Sequence, residues 1–173
     1  MWYQYEGLPA FFAPSGTSCI RATYGDNGNR NVLQKIDSKL YLHFWLAGDG
    51  TVSVRNVDVS PAGKYEQICG YADAPDAEEP GSLLVHFPNA PAGSYWILDT
   101  DYENYASVYS CQSILGLFQI EYGWLLLRDL NTSEDIIAKG REAFTKNGLD
   151  ISKYELVNHE NCQYDLPDVP PCN

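Results

Sequence analysis

Three groups of side chains in this 173-residue chain have the types that chemistry requires: five cysteines, three histidines and a cluster of acids around residue 100. Asp99, Asp101 and Glu103 lie two apart in "LDTDYENY", a spacing that could serve paired acid–base groups. The same stretch has Asn and Asp, which bond their own backbone in turns, and a solvated corner between two strands explains it better. Cys69 would be a nucleophile only with a base beside it. His43, His86 and His159 stand at no spacing that activates it, and they are too scattered to suggest a metal site. Cys19, Cys69, Cys111, Cys162 and Cys172 contain no C-x-x-C pair. Their wide separation suits disulfides between distant segments in an oxidising compartment, and the odd number leaves one free or paired between chains. Asn131-Thr132-Ser133 is a glycosylation sequon, which fits a secreted protein.

Short strands supply most of the framework around these residues. "WYQYEGL", "TSCIRATY", "TVSVRNVDV", "KYEQICGYA", "SLLVHF", "SYWIL", "YASVYSC" and "FQIEYGWLLL" are rich in β-branched and aromatic residues, several with period-2 alternation. Pro and Gly punctuate the gaps, at Pro14 to Gly16, Gly48 to Gly50, Pro61 to Gly63, Glu79 to Gly81 and Pro88 to Gly93. Eight such runs on short loops predict an all-β, antiparallel up-and-down barrel, since closure removes the sheet edges. One helix is expected over 133–147, capped by Thr132 or Ser133 and ended at Gly148. Its apolar stripe of Ile136, Ile137, Ala143 and Phe144 should pack on the outside of the barrel. The segment 160–173 is proline-rich and should run over the surface. The length suits a single domain, 1–173. The net charge of −12, from 23 acidic and 11 basic residues, argues against nucleic acid and anionic lipid as partners. No run of about eighteen apolar residues predicts a membrane span.

Read in order, "WYQYEGLP", "TVSVRN", "LDTDYENYASVYSC", "WLLLRD" and "AFTKNGLDISKYELVNHENCQYD" resemble the lipocalin family. Within it they are similar to the branch that holds apolipoprotein D, insecticyanin, bilin-binding protein and crustacyanin. The resemblance covers about residues 1–24 and 48–165. It implies an eight-stranded barrel with one open and one closed end that holds a small apolar ligand. It places Trp2 near the closed end with Arg128 across its indole, and makes Thr100, Asp101 and Tyr102 the closed-end turn between the sixth and seventh strands. It also implies a Cys19–Cys162 disulfide. A second family disulfide joins the position of Cys111 to a cysteine in a segment ahead of Trp2, which this sequence lacks. Cys111 is therefore left alone unless Cys172 replaces that partner. Residues 25–47 look like an insertion between the second and third strands, either a hairpin extension or a flap. Its Tyr41, Phe44 and Trp45 would cover the barrel floor or form a dimer patch.

Strand alternation selects the ligand-facing residues. If Trp2 points inward, so do Gln4 and Glu6. Val52, Val54 and Asn56 share a face, as do Ile68, Gly70 and Ala72, which turns Cys69 outward; Tyr122, Trp124 and Leu126 share another. Trp96 and His86 complete the expected set. The resemblance singles out Asn56, which matches an Asn that touches chromophore in pigment-binding relatives. Such polar residues equally suit bonds to buried water or to each other. The leading function is a secreted carrier of a small hydrophobic ligand, and the resemblance points to a pigment such as astaxanthin or biliverdin. A general lipid, retinoid or fatty-acid carrier is the alternative. A third reading is a subunit of a homo- or hetero-oligomeric colour complex. A Cys-dependent isomerase is disfavoured because Cys69 faces outward, and no catalytic cofactor is expected.

Overall fold

The alternating runs form the strands their period predicts. The computed structural model describes residues 1–26, 51–76, 78–114, 117–164 and 172. Among these, eight strands follow in order: β1 (Trp2–Gly7), β2 (Ser18–Asp26), β3 (Thr51–Val59), β4 (Tyr65–Asp73), β5 (Ser82–His86), β6 (Gly93–Thr100), β7 (Tyr105–Ile114) and β8 (Phe118–Leu127). Helix α1 (Glu134–Lys146), a single 3-10 turn and the two-residue β9 (Glu155–Leu156) complete them. Each strand pairs antiparallel with the next, and β1 pairs with both β8 and β2, closing the barrel. β1 also carries β9 on its outer half, where Glu6 and Gly7 pair with Leu156 and Glu155. Gly25 and Asp26 of the expected insertion end β2. The rest of it, with Tyr41, His43, Phe44 and Trp45, lies outside the described residues, as does most of the tail beyond Tyr164.

α1 packs against β6 and β7 on the barrel's outer wall. Ile137 and Phe144 join Tyr105, Leu125 and Leu127 in a core between helix and sheet. Gly140 allows this closeness: a Cβ there would sit 2.4 Å from Leu125 Cδ1, and its carbonyl accepts the Ser107 hydroxyl at 2.7 Å.

The N-terminal strand departs from strict alternation. A β-bulge between Gln4 and Glu6 shifts the register, so Gln4 pairs with Leu126 and Glu6 with Leu125. Leu126 faces the barrel interior and Leu125 faces α1. Glu6 is therefore not a ligand-facing residue. It points at the helix, where Arg141 donates to it twice, at 2.8 and 2.6 Å. The Glu6 side chain is only 5% exposed, so its carboxylate depends on that partner. Arg141→Met should destabilise the fold by about 2 kcal/mol in urea unfolding, because it strands a buried charge beside an otherwise intact helix.

The end of the barrel opposite the β1–β2 loop is closed by side chains. The Arg128 guanidinium lies 3.8 Å from the Trp2 ring centre and donates to the Met1 carbonyl at 3.0 Å. Thr100, Asp101 and Tyr102 build the β6–β7 turn there. Asp101 accepts from the backbone of Glu103, Asn104 and Tyr105 and from the Asn104 amide. Burial pushes its carboxyl up, but these bonds outweigh burial and hold it below its ordinary value. Asp99 likewise accepts from the Thr100 amide and the Tyr105 hydroxyl, so both aspartates are held within the turn.

Two disulfides are present, Cys19–Cys162 and Cys69–Cys172, and Cys111 is free. The suggested Cys111–Cys172 pair is corrected. The outward-facing Cys69 of β4 meets residue 172 on the outer wall, whereas Cys111 sits on β7, three strands round from β4.

Candidate functional site

On two pairs of strands the inward-facing residues are placed by unbroken register. β3 and β4 pair residue for residue from Thr51↔Asp73 to Val59↔Tyr65, and β7 pairs with β8 from Tyr105↔Leu127 to Ile114↔Phe118. Alternation therefore holds along these strands, and Val54, Asn56, Ile68, Tyr122 and Trp124 share the inner wall with Gln4. At the closed end this wall packs on itself. Val52, Val54, Ala72 and Val85 cluster with Tyr24, Phe87 and Tyr95, and Trp2, Ala106, Val108 and Leu126 form a second cluster beside them. Towards the β3–β4 turn the packing ends. On one inward face of β4, Ala72 is 3% exposed and Ile68 is 43% exposed. An apolar side chain directed inward yet open to solvent marks a lumen that widens towards that end.

A ladder of aromatic rings runs down the lumen. Phe12, from the β1–β2 loop, lies 5.2 Å from Tyr122. Tyr122 and Trp124 are nearly parallel at 5.8 Å, and Trp124 and Tyr95 at 6.0 Å. The ladder ends where the Tyr24 and Tyr95 hydroxyls bond at 2.7 Å. Burial pushes both phenols up, so they remain neutral. Parallel rings at these distances present flat π-faces to whatever fills the space.

The lumen also carries polar side chains, the amides of Gln4 and Asn56 among them. Asn56 Oδ1 is buried with no hydrogen-bond partner among the described residues, a cost that a donor on a bound molecule would remove. One pleat towards the mouth, Asp58 and Glu66 face each other across β3 and β4.

Two expected contacts prove to be on the outside. Trp96 stacks on Tyr109 at 5.9 Å and donates to Ser82 at 3.2 Å on the outer wall, because its neighbour Tyr95 takes the inward position. His86 bonds Asp73 at 2.6 Å and stacks on the exposed Tyr71 at 4.5 Å. Its strand neighbour Val85 pairs with Ala72 and faces in. Tyr24, Tyr95 and Phe12 are ladder residues not anticipated from the sequence. Alternation carried across the β5–β6 pairing would have exchanged Trp96 for Tyr95; nothing local identifies Phe12. A recess of about 90 Å³ between the β1–β2 loop and β9, lined by Leu8, Pro14 and Leu156 among others, is well under the roughly 300–1,000 Å³ of ligand sites.

A closed barrel with an apolar lumen open at one end and a helix on its flank defines the class of barrel carriers for small hydrophobic molecules. The chain belongs to the lipocalin family: the model described as "Lipocalin / cytosolic fatty-acid binding protein family" matches residues 70–161. It is 35% identical to apolipoprotein D of Mus musculus over 93% of this chain and 74% of that protein. It is 25% identical to the crustacyanin-A1 subunit of Homarus gammarus over 85% of this chain and 70% of that one. Among solved structures, insecticyanin from the tobacco hornworm Manduca sexta superposes with a TM-score of 0.68 at 23% identity, covering 95% of this chain and 80% of that chain. No helix among the described residues is long and apolar enough to cross a membrane.

Proposed function

We propose that this protein is a secreted carrier that sequesters a flat, conjugated hydrophobic molecule, a carotenoid such as astaxanthin or else biliverdin, inside the barrel. The observation that carries this reading is the Phe12–Tyr122–Trp124–Tyr95 ladder beside the unpartnered Asn56 Oδ1. Burial of apolar ligand surface supplies the affinity, at about 25 cal/mol per Å². The ring faces select planar molecules, and Asn56 orients the polar end. Gln4 and Ile68 line the same wall. The likeness to a crustacyanin subunit and to insecticyanin supports a pigment over an unconjugated lipid, and the two disulfides suit an extracellular setting.

Reconstitution tests it. Protein mixed with astaxanthin or biliverdin should show a shifted visible band and quenched tryptophan fluorescence, and Asn56→Ala should weaken binding about tenfold. No spectral change and no quenching with pigments, retinoids or fatty acids would sink the carrier reading.

A subunit of an oligomeric colour complex is a second reading, favoured by exposed apolar residues near the mouth, Phe11, Phe12, Leu117 and Phe118, and by the free Cys111. Light scattering with and without reductant separates packed from disulfide-linked assemblies.

A further inference from the structure

Two carboxylates face each other at the entrance to the lumen. Asp58 lies on the same face of β3 as Val54 and Asn56, and Glu66 pairs with it on the same face of β4 as Ile68. Both therefore point inward, one pleat above the orphaned Asn56 Oδ1. The β2 residues opposite Asp58, Cys19 and Ile20, bring no charge; Cys19 is in a disulfide. Arg55 belongs to the other face, where it donates to Gln67 at 3.0 Å. Lys64, in the β3–β4 turn, reaches Glu66 at 3.8 Å with its side chain 78% exposed, so it is a weak, screened partner. Among the described residues no cation pairs with Asp58: burial, then the charge of Glu66, pushes its carboxyl up to about 6. It is still ionised at pH 8.

We infer that Asp58 and Glu66 form an anion-rejecting collar, and that the ligand carries a neutral, hydrogen-bond-donating polar end, a hydroxyl or an amide-type N–H, which passes the collar and seats against Asn56 Oδ1. A ligand ending in a free carboxylate meets two like charges and an acceptor that it cannot satisfy. The hydroxyl end of a xanthophyll fits this entrance, and the two propionates of free biliverdin do not. The inference rests on the carrier reading above and adds selectivity to it. It follows from the joint placement of buried acceptor and carboxylate pair, since the pair alone would be no more than a solvated rim.

Retinol and retinoic acid share one polyene and differ at the end that matters. At pH 8, fluorescence titration of the full chain should give a dissociation constant about tenfold lower for retinol. In Asp58→Asn/Glu66→Gln the gap should close to about twofold, through tighter binding of the acid and with retinol unchanged. Retinol binding thus doubles as the check on folding; should the double variant lose it, Asp58→Asn and Glu66→Gln singly make the same comparison. Equal affinities in the native protein, or a gap that persists in the variants, would overturn the collar. Binding of neither polyene by protein that takes up astaxanthin would overturn the collar alone; failure with pigments, retinoids and fatty acids alike would overturn the carrier reading with it.

Discussion

Trp124→Ala should weaken binding of a conjugated ligand about a hundredfold, while Trp96→Ala leaves it within about threefold. Both are half-buried tryptophans on neighbouring parts of one sheet, and only the wall they face differs. Trp124 is the middle rung of the ladder, 5.8 Å from Tyr122 and 6.0 Å from Tyr95. Its loss removes the largest ring from the lumen and separates the two tyrosines. Truncating a central aromatic in a desolvated site typically costs about 3 kcal/mol of binding. Trp96 stacks on Tyr109 outside the barrel and touches nothing a ligand would reach. Its removal should lower the unfolding midpoint without changing affinity. Visible absorbance of the bound pigment is the right readout, since one fluorophore is deleted in each variant. Equal losses in the two would show that the ladder is not where ligand sits.

The contrast between these residues also shows where sequence reading works in a barrel. Period 2 is reliable only while pairing is unbroken. On β3, β4 and β8 the register runs without a slip, so Val54, Asn56, Ile68, Tyr122 and Trp124 can be placed by counting. On β1 one extra residue between Gln4 and Glu6 reverses the parity, and no residue type in "WYQYEG" announces it. On β6 two aromatics stand side by side, and the choice between Tyr95 and Trp96 is made by neighbours: Tyr95 pairs with Leu83 and Trp96 with Ser82. His86 is decided the same way, by Val85 meeting Ala72. Trp2 and Arg128 were legible as a motif because their contact closes the barrel floor in the whole family pattern. The Cys69–Cys172 bridge was not, because five cysteines allow many pairings and their spacing does not select among them.

Replacing Cys19 and Cys162 by Ala together should cost about 3–4 kcal/mol of stability. The bridge spans 143 residues, and closing a loop of that length removes about 5 kcal/mol of chain entropy from the unfolded state in the simplest treatment. The overlapping Cys69–Cys172 loop, with a separation of 103, already restrains part of the same chain, which lowers the figure. Native contacts argue that little is lost in the folded state. The Cys19 amide donates to the Asn158 carbonyl at 2.9 Å. His159 Nε2 lies 2.8 Å from the Gln4 carbonyl, which can only accept, so that nitrogen holds the proton and Nδ1 accepts from the Tyr164 hydroxyl at 2.6 Å. Burial holds this imidazole below its ordinary value, against the pull of the Gln4 bond, which keeps it neutral at pH 7. Tyr164 then packs edge-on against Tyr3 at 4.9 Å. These contacts hold the C-terminal segment on β1 and β2 without the sulfur atoms. The variant should therefore keep its spectrum and its ligand, unfold at lower denaturant, and show a steeper denaturant dependence, because its unfolded chain expands further. A stability change below about 1 kcal/mol would mean that the unfolded ensemble, with one bridge left, is already too compact for the second to matter.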